Sequence, residues 1–402
     1  MAVDTAVVAP LTAKVGAVAG AILARHIGRE DVVHATLLSL VSGRPAFFLG
    51  PPGVDKTGCV QELAARIQGS VFFDALMPTV VSPEQLLVES TSIEESVLED
   101  GGKQICVRET LGRAAKAHVI FADEIWKAEP RVLQTMLDLA RGGGVRHEGE
   151  LVATPLLSFV SASNELPDQE GNLSAIWSRM TIRVEVRPLD RGGKTALVAA
   201  RLRRDRHESS GESATLTLDD IDALRASRPE VEVPEEIVTT VLDILQELVD
   251  DGSSDFDWAW ADDRRFGRLF DLLQAEALLT GRSAVSKADL WVLEWLLWDT
   301  PEQAAIVRAK VAPYCRTPLM DAQEQIDALL APGGTVATVL SGDRGKGVQA
   351  LTQCEEALKE IARLKSESDT VMAAEIEKLE VQLNSVKTDV VAVTLGTKKG
   401  GS

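Results

Sequence analysis

The sequence predicts an α/β protein with a mostly parallel central sheet, followed by an all-α segment and a C-terminal helical hairpin. Three observations carry this. Short apolar runs alternate with helical patterns up to residue 205. The first of those runs, PAFFLG, ends in a glycine-containing turn that opens a helix. Beyond residue 214 the strand signals stop and only helical patterns remain.

The elements follow in order. The apolar, Ala-rich stretch 6–24 reads as a small-residue helix; Pro10 and Lys14 interrupt it, and Asp4 stands where a signal peptide needs a base. Residues 31–43 have helical periodicity. PAFFLG is a buried strand, and TGCVQELAARI is the helix after it. SVFFDAL is a strand, followed by a long acidic stretch to Asp100. AHVIFADE is a buried strand ending in acids, and PRVLQTMLDLA is a helix. A hairpin-like insert at 141–155 precedes the strand in LLSFVSASNELP, and MTIRVEV (180–186) is the last strand. The expected domains are an α/β core over 1–205, a linker in the polar run 205–213, a helical segment over 214–312, and an extension over 313–402. Within that extension, 331–347 reads as loose. Ile376, Leu379, Leu383, Val386 and Val390 step by 3 and 4, so an antiparallel helical hairpin is expected at about 348–393.

Composition bounds the function. The chain has 402 residues and a net charge of −19. That charge opposes general binding to nucleic acid or anionic membrane, both polyanions, and favours protein partners. No segment reaches the length needed to span a bilayer. The four cysteines and five histidines show no disulfide or metal-ligand spacing, which suits a reducing cytoplasm.

The loop FFLGPPGVDKT (47–57) carries the chemistry. A phosphate-binding loop wraps phosphates in backbone N–H groups, extends a lysine to the terminal ones, and binds Mg²⁺ through a hydroxyl. Gly50, Gly53, Lys56 and Thr57 are in register, but Asp55 replaces the second motif glycine. If that position needs φ > 0, Asp is among the better non-glycine residues. Its carboxylate beside a triphosphate would cost about 1–4 kcal/mol at close range. Either the side chain turns away or nucleotide affinity falls. Asp123 and Glu124, after the VIFA strand, suit a Mg²⁺ ligand and a group that polarises water. Asn164, ending the next strand, can orient that water. Arg179 and Arg264 are candidates to stabilise γ-phosphate charge.

Together FFLGPPGVDKT, FADEIWKAEPRVLQTML, SASNELP, WSRM, ADDRRF and TGRSAV, in this order, resemble AAA+ ATPases of the MoxR family, near its RavA branch. The resemblance covers roughly residues 20–300. It implies an AAA+ P-loop core with an all-α lid, and MoxR relatives often place Ala at position 55. It implies ATP/ADP binding by Gly50, Pro51, Pro52, Gly53, Val54, Asp55, Lys56, Thr57 and Gly58, with Ile27 and Gly28 near adenine. Thr57 and Asp123 would hold Mg²⁺, Glu124 would be catalytic, Asn164 would be sensor 1, Arg179 the arginine finger and Arg264 sensor 2. The 141–155 insert is similar to that clade's helix-2 insert. A finger acting across subunits implies a ring, expected to be a hexamer. The expected function is remodelling or activation of a protein client with a von Willebrand A-domain partner. The alternatives are a nucleotide-gated scaffold with little turnover because of Asp55, and a nucleic-acid motor, which the charge disfavours.

Overall fold

The computed structural model describes residues 5–97, 103–140, 144–147, 150–167, 172–205, 214–251, 263–316, 318–331, 333–366 and 370–396. The chain divides into two compact units, residues 1–311 and 312–402.

The first unit is built on five strands: β1 (Ala46–Leu49), β2 (Phe72–Leu76), β3 (Val119–Asp123), β4 (Ser158–Ser163) and β5 (Ile182–Glu185). Their spatial order is β5-β1-β4-β3-β2, and every neighbouring pair is parallel. β1 and β4 are buried at every residue, as helices on both faces of a parallel sheet require. That burial is why these strands read as apolar runs with no alternation. The helices include α1 (Thr5–Leu23), α2 (Glu30–Ser42), α3 (Lys56–Ala65) and α4 (Pro130–Ala140). α1 buries Val8, Leu11, Val15, Val18 and Ile22, a stripe stepping by 3 and 4 that fixes it to the unit despite Pro10.

Register sets the position of the site. Leu49 lies beside Ser163, and Asp123 beside Ala162. The residues that follow, Gly50, Asn164 and Glu124, therefore leave the sheet together at its carboxyl end. β1 sits between β4 and β5 while the chain leaves it for β2, so this is also the point where strand order reverses and ligands bind in such sheets.

Two features depart from the sequence expectation. The acidic stretch contains a short helix, Glu84–Leu87, and an antiparallel hairpin pairing Val88–Val97 with Lys103–Leu111. The first strand, VESTSIEESV, is rich in Ser, Thr and Glu, and the second, KQICVRETL, offers only Ile105, Val107 and Leu111 in alternation, too weak a pattern to announce the pair. The hairpin expected at 141–155 pairs Val145–His147 with Glu150–Val152, but it lies between β3 and β4. An insert in the second helical connection, between β2 and β3, is the 84–111 segment instead. Of the expected linker, Asp205 closes the helix Arg191–Asp205, and 206–213 lie outside the described residues.

After that linker, Leu216–Thr217 pairs with Ile67–Gln68. Thr217 and Asp220 then form a capping box that starts the helix Leu218–Ser227. Helices Glu235–Asp250, Asp263–Leu279 and Pro301–Val311, with a 3₁₀ stretch Lys287–Trp295, complete the unit. Arg183 ties this helical part to the sheet. It is 1% exposed, lies over the Trp177 ring at 4.1 Å, and donates to the Trp177 and Trp298 carbonyls and to Asp299.

The second unit has more structure than a hairpin. Helices Pro318–Leu330 and Thr335–Leu340 precede Gly347–Ser366 and Thr370–Leu395. The supposed loose segment contains Thr335–Leu340 because Val336 and Val339 complete a core with Ala322, Ile326, Ile361, Ile376, Leu383 and Val390. The ion pairs Lys387–Glu355 and Lys365–Glu380 show that the last two helices run antiparallel. No helix among the described residues is long and apolar enough to cross a membrane.

Candidate nucleotide site

The cradle begins where β1 ends. A Cβ on Gly50 would come within 2.3 Å of the Val186 carbonyl, so only glycine lets the loop leave the sheet here. Pro51, Pro52 and Gly53 are exposed, Gly53 has φ 82°, and Val54 is buried and anchors the loop. Lys56 is 8% exposed. Its Nζ donates to the Gly50 carbonyl at 2.6 Å and the Pro51 carbonyl at 3.1 Å. Burial holds its pKa below the usual lysine range, while Asp123 and Glu124 pull the other way. A buried ammonium resting on loop carbonyls, beside the N-terminus of α3, suits an anionic ligand. Thr57 is half-buried in the first turn of that helix.

Asp55 does not fill the cradle. Its backbone is left-handed, with φ 64° and ψ 32°. Its carboxylate turns outward to His26, with Oδ2 at 2.6 Å from Nδ1. Oδ1 lies over Gly58, where a Cβ would approach it to 2.2 Å. His26 Nε2 meets Glu62 at 2.9 Å, and Arg66 holds Glu62 at 2.8 Å. The bond to Asp55, with Cys59 and Glu62 beside it, raises the His26 pKa to about 10 against the cost of burial. Of the two outcomes its position allowed, the geometry is that of a side chain turned away from the loop and paired with His26.

The acids stand opposite. Asp123 Oδ1 accepts from the Glu124 N–H at 3.0 Å, and Glu124 takes a left-handed backbone with φ 54°. That turn starts the 3₁₀ segment Ile125–Lys127 and presents the Glu124 carboxylate to Lys127 at 3.0 Å. Ser163 donates to it at 3.5 Å. Asn164 is exposed at the end of β4. Phe47 of β1, Trp126 just after Glu124, Trp177 and Trp298 form a buried cluster of tilted and T-shaped ring contacts.

Gly28 has φ 66° and packs against Leu189. It lines a cavity of about 310 Å³ with Arg29, Val186, Leu189, Trp298 and Arg308. Ile27 is half-buried beside it and is not among the lining residues.

Arg179 and Arg264 are not brought to this cradle. With Arg44 and Arg268 they line a separate cavity of about 340 Å³ beside Gly43 and Pro45, which precede β1. The Thr181 N–H donates to the Pro45 carbonyl at 3.1 Å, so these arginines sit at the amino end of the sheet. The length of β1, about 13 Å at some 3.3 Å per residue, lies between them and the loop. Sequence reasoning missed His26, Glu62, Ser163, Lys127, Arg44 and Arg268. The only local signal was the i, i+4 spacing of Asp55 and Cys59, and HIGRED drew attention to Ile27 and Gly28 instead of His26.

Comparison with known proteins identifies the family and the fold. Residues 13–226 match the family model of the MoxR domain in the MoxR-vWA-beta-propeller ternary systems, and residues 236–311 match an AAA lid domain. Two proteins of Methanocaldococcus jannaschii are similar. MJ0079 is 28% identical over 69% of this chain and 68% of its own length. MJ0812 is 25% identical over 75% of this chain and 77% of its own length. Among solved structures, a candidate ATPase from Cytophaga hutchinsonii superposes with a TM-score of 0.57 at 15% identity, over 77% of this chain and 95% of that one, and shares its fold. With the family model spanning more than half of the chain, the protein belongs to the MoxR family of AAA+ ATPases.

Proposed function

We propose that this chain hydrolyses ATP with Mg²⁺ as part of a ring, expected to be a hexamer, and uses the cycle to remodel or activate a protein client. The observation that carries the reading is the cradle itself: a buried Lys56 held on loop carbonyls, with the Asp55 charge turned out to His26. Lys56 would exchange the Gly50 and Pro51 carbonyls for phosphate oxygens. Thr57 and Asp123 would hold Mg²⁺. The metal, when bound, neutralises phosphate charge and leaves the terminal phosphorus open to attack. Glu124, steadied by Lys127 and Ser163, accepts the proton of the attacking water, and Asn164 orients that water. The cavity beside Gly28 takes the base. Arg179 and Arg264, remote from their own cradle, serve the nucleotide of the adjoining copy.

The matched family model is named for systems that also contain a von Willebrand A protein and a β-propeller protein, which makes these the partners to test. The experiment is steady-state ATPase with and without such a partner from the same genome. Turnover should need Lys56, rise with the partner, and be indifferent to DNA or RNA. Assembled rings without turnover would favour a nucleotide-gated scaffold and overturn the proposal.

A further inference from the structure

We infer that His26, Asp55 and Cys59 form a binding site for a thiophilic divalent metal ion, zinc in the first instance, on the outer flank of the phosphate loop. His26 follows α1, while Asp55 and Cys59 stand one turn apart at the start of α3. Their ligand atoms all lie within 4.8 Å of one another. Imidazole, thiolate and carboxylate are the donors that zinc accepts, and three protein ligands leave a fourth position for water. A thiolate in the set selects against Mg²⁺ and Ca²⁺, which take oxygen.

The surroundings are those of a supported ligand. Nδ1 of His26 faces Asp55, and Nε2 faces Glu62 at 2.9 Å. A carboxylate on the far nitrogen is what fixes tautomer and ring plane in metal-binding histidines. Glu62 is held in turn by Arg66 at 2.8 Å and Arg25 at 3.4 Å. Without metal, a proton occupies the 2.6 Å gap between Nδ1 and Asp55 Oδ2. Tetrahedral ligands at about 2.0–2.1 Å from zinc lie about 3.3 Å apart, so the pair must separate by about 0.7 Å. The half-exposed Asp55 side chain can rotate that far. The loop position itself prefers glycine, and a non-glycine residue there gives up about 1–2 kcal/mol of backbone energy. The residue found is one that supplies a ligand. An ion bridging Asp55 and Cys59 would clamp the helical turn that carries Lys56 and Thr57.

The test uses the full chain stripped by a chelator and titrated with Zn²⁺ alone, by calorimetry and by competition with a chromophoric chelator. Co²⁺ is added separately and followed by absorption. One ion per chain is expected, with a thiolate-to-cobalt charge-transfer band. Cys59→Ser should remove that band, and it and His26→Gln should weaken Zn²⁺ binding at least about 100-fold. Glu62→Gln should weaken it about 10- to 100-fold, and Cys354→Ser should change nothing. Asp55→Gly sits where glycine is at home, so it folds, and its expected loss of affinity is not a loss of structure. No Zn²⁺ uptake, or wild-type affinity in Cys59→Ser or Asp55→Gly, overturns the site.

Discussion

Releasing Asp55 from His26 should damage nucleotide binding more than removing Asp55 altogether. In the folded chain the carboxylate is 2.6 Å from His26 and turned away from the loop. At a separation of about 8 Å, a pair of unit charges in water-like surroundings repels by only about 0.5 kcal/mol, and a charged His26 would offset most of that. Asp55→Gly should therefore change ATP affinity by less than about threefold. His26→Ala frees the side chain to swing inward. At about 4 Å the repulsion is about 1 kcal/mol at water's dielectric and about 4 near a protein surface. An increase in Kd of about tenfold is expected, since screening by Mg²⁺ and Lys56 favours the lower end. The double variant should return to near the wild-type value. The assay is calorimetric binding of a non-hydrolysable ATP analogue to metal-stripped protein with Mg²⁺ restored. A tenfold gain from Asp55→Gly alone would show that the carboxylate faces the phosphates. A silent His26→Ala would show that the pair holds nothing in place.

Three other outcomes follow from the packing. His118 Nδ1 accepts the Val71 N–H at 3.0 Å, and burial lowers its pKa, so it contributes stability above about pH 6.5 that is lost as pH falls through the folded value. Thermal melts from pH 7.5 to 5 should fall more steeply for wild type than for His118→Gln, and parallel slopes would refute this. Burial pushes the Asp299 carboxyl up, but Arg183 and Arg265 prevail and hold it below the usual range. Asp299→Asn leaves two buried guanidinium groups under-compensated and should cost about 3–5 kcal/mol in urea unfolding; a cost under 1 would show that the Trp177 face and the carbonyls suffice. Leu383→Ala, at a fully buried position in the second unit, should cost about 2–5 kcal/mol and lower hydrogen-exchange protection across Thr370–Leu395.

How far the sequence was legible depends on where each signal lives. β1 and β3 were readable because burial on both faces leaves runs of apolar residues, AFFL and VIFA, while β4, SFVSAS, was readable from small and apolar residues that fit a sheet covered on both faces. The a/d stripe of the last helix was readable for the same reason, since Ile376, Leu383 and Val390 have no exposure at all. The hairpin pairing Val88–Val97 with Lys103–Leu111 was not, because its first strand is mostly Ser, Thr and Glu and gives no apolar alternation. The short helix Thr335–Leu340 buries Val336 and Val339 in the core, with Leu340 packed against it, in too short a stretch to show a period. In the site, loop and acids lie on contiguous motifs, whereas His26 reaches Asp55 from 29 positions away. No spacing rule connects them. The separation of Arg179 and Arg264 from the cradle was equally hidden, since both ends of a four-residue strand look adjacent in a sequence.

That separation gives the sharpest test of the ring. The cradle opens at the carboxyl end of the sheet, and the cavity lined by Arg179 and Arg264 opens at the amino end. On the proposed reading one copy does not bring both to one nucleotide, and a cyclic assembly would join the front of each copy to the back of the next. Glu124→Gln and Arg179→Ala should then each abolish turnover for different reasons, the first failing in its own site and the second in its neighbour's. Mixed one to one before assembly, the two dead variants should recover about a quarter of wild-type activity. A site works when its own Glu124 is intact and its neighbour's Arg179 is too, and each condition holds half the time. Mixtures that stay dead, although rings of both species form, would mean that Arg179 acts within its own chain after a rearrangement of the sheet's surroundings. An active Arg179→Ala ring would remove that arginine from the machinery.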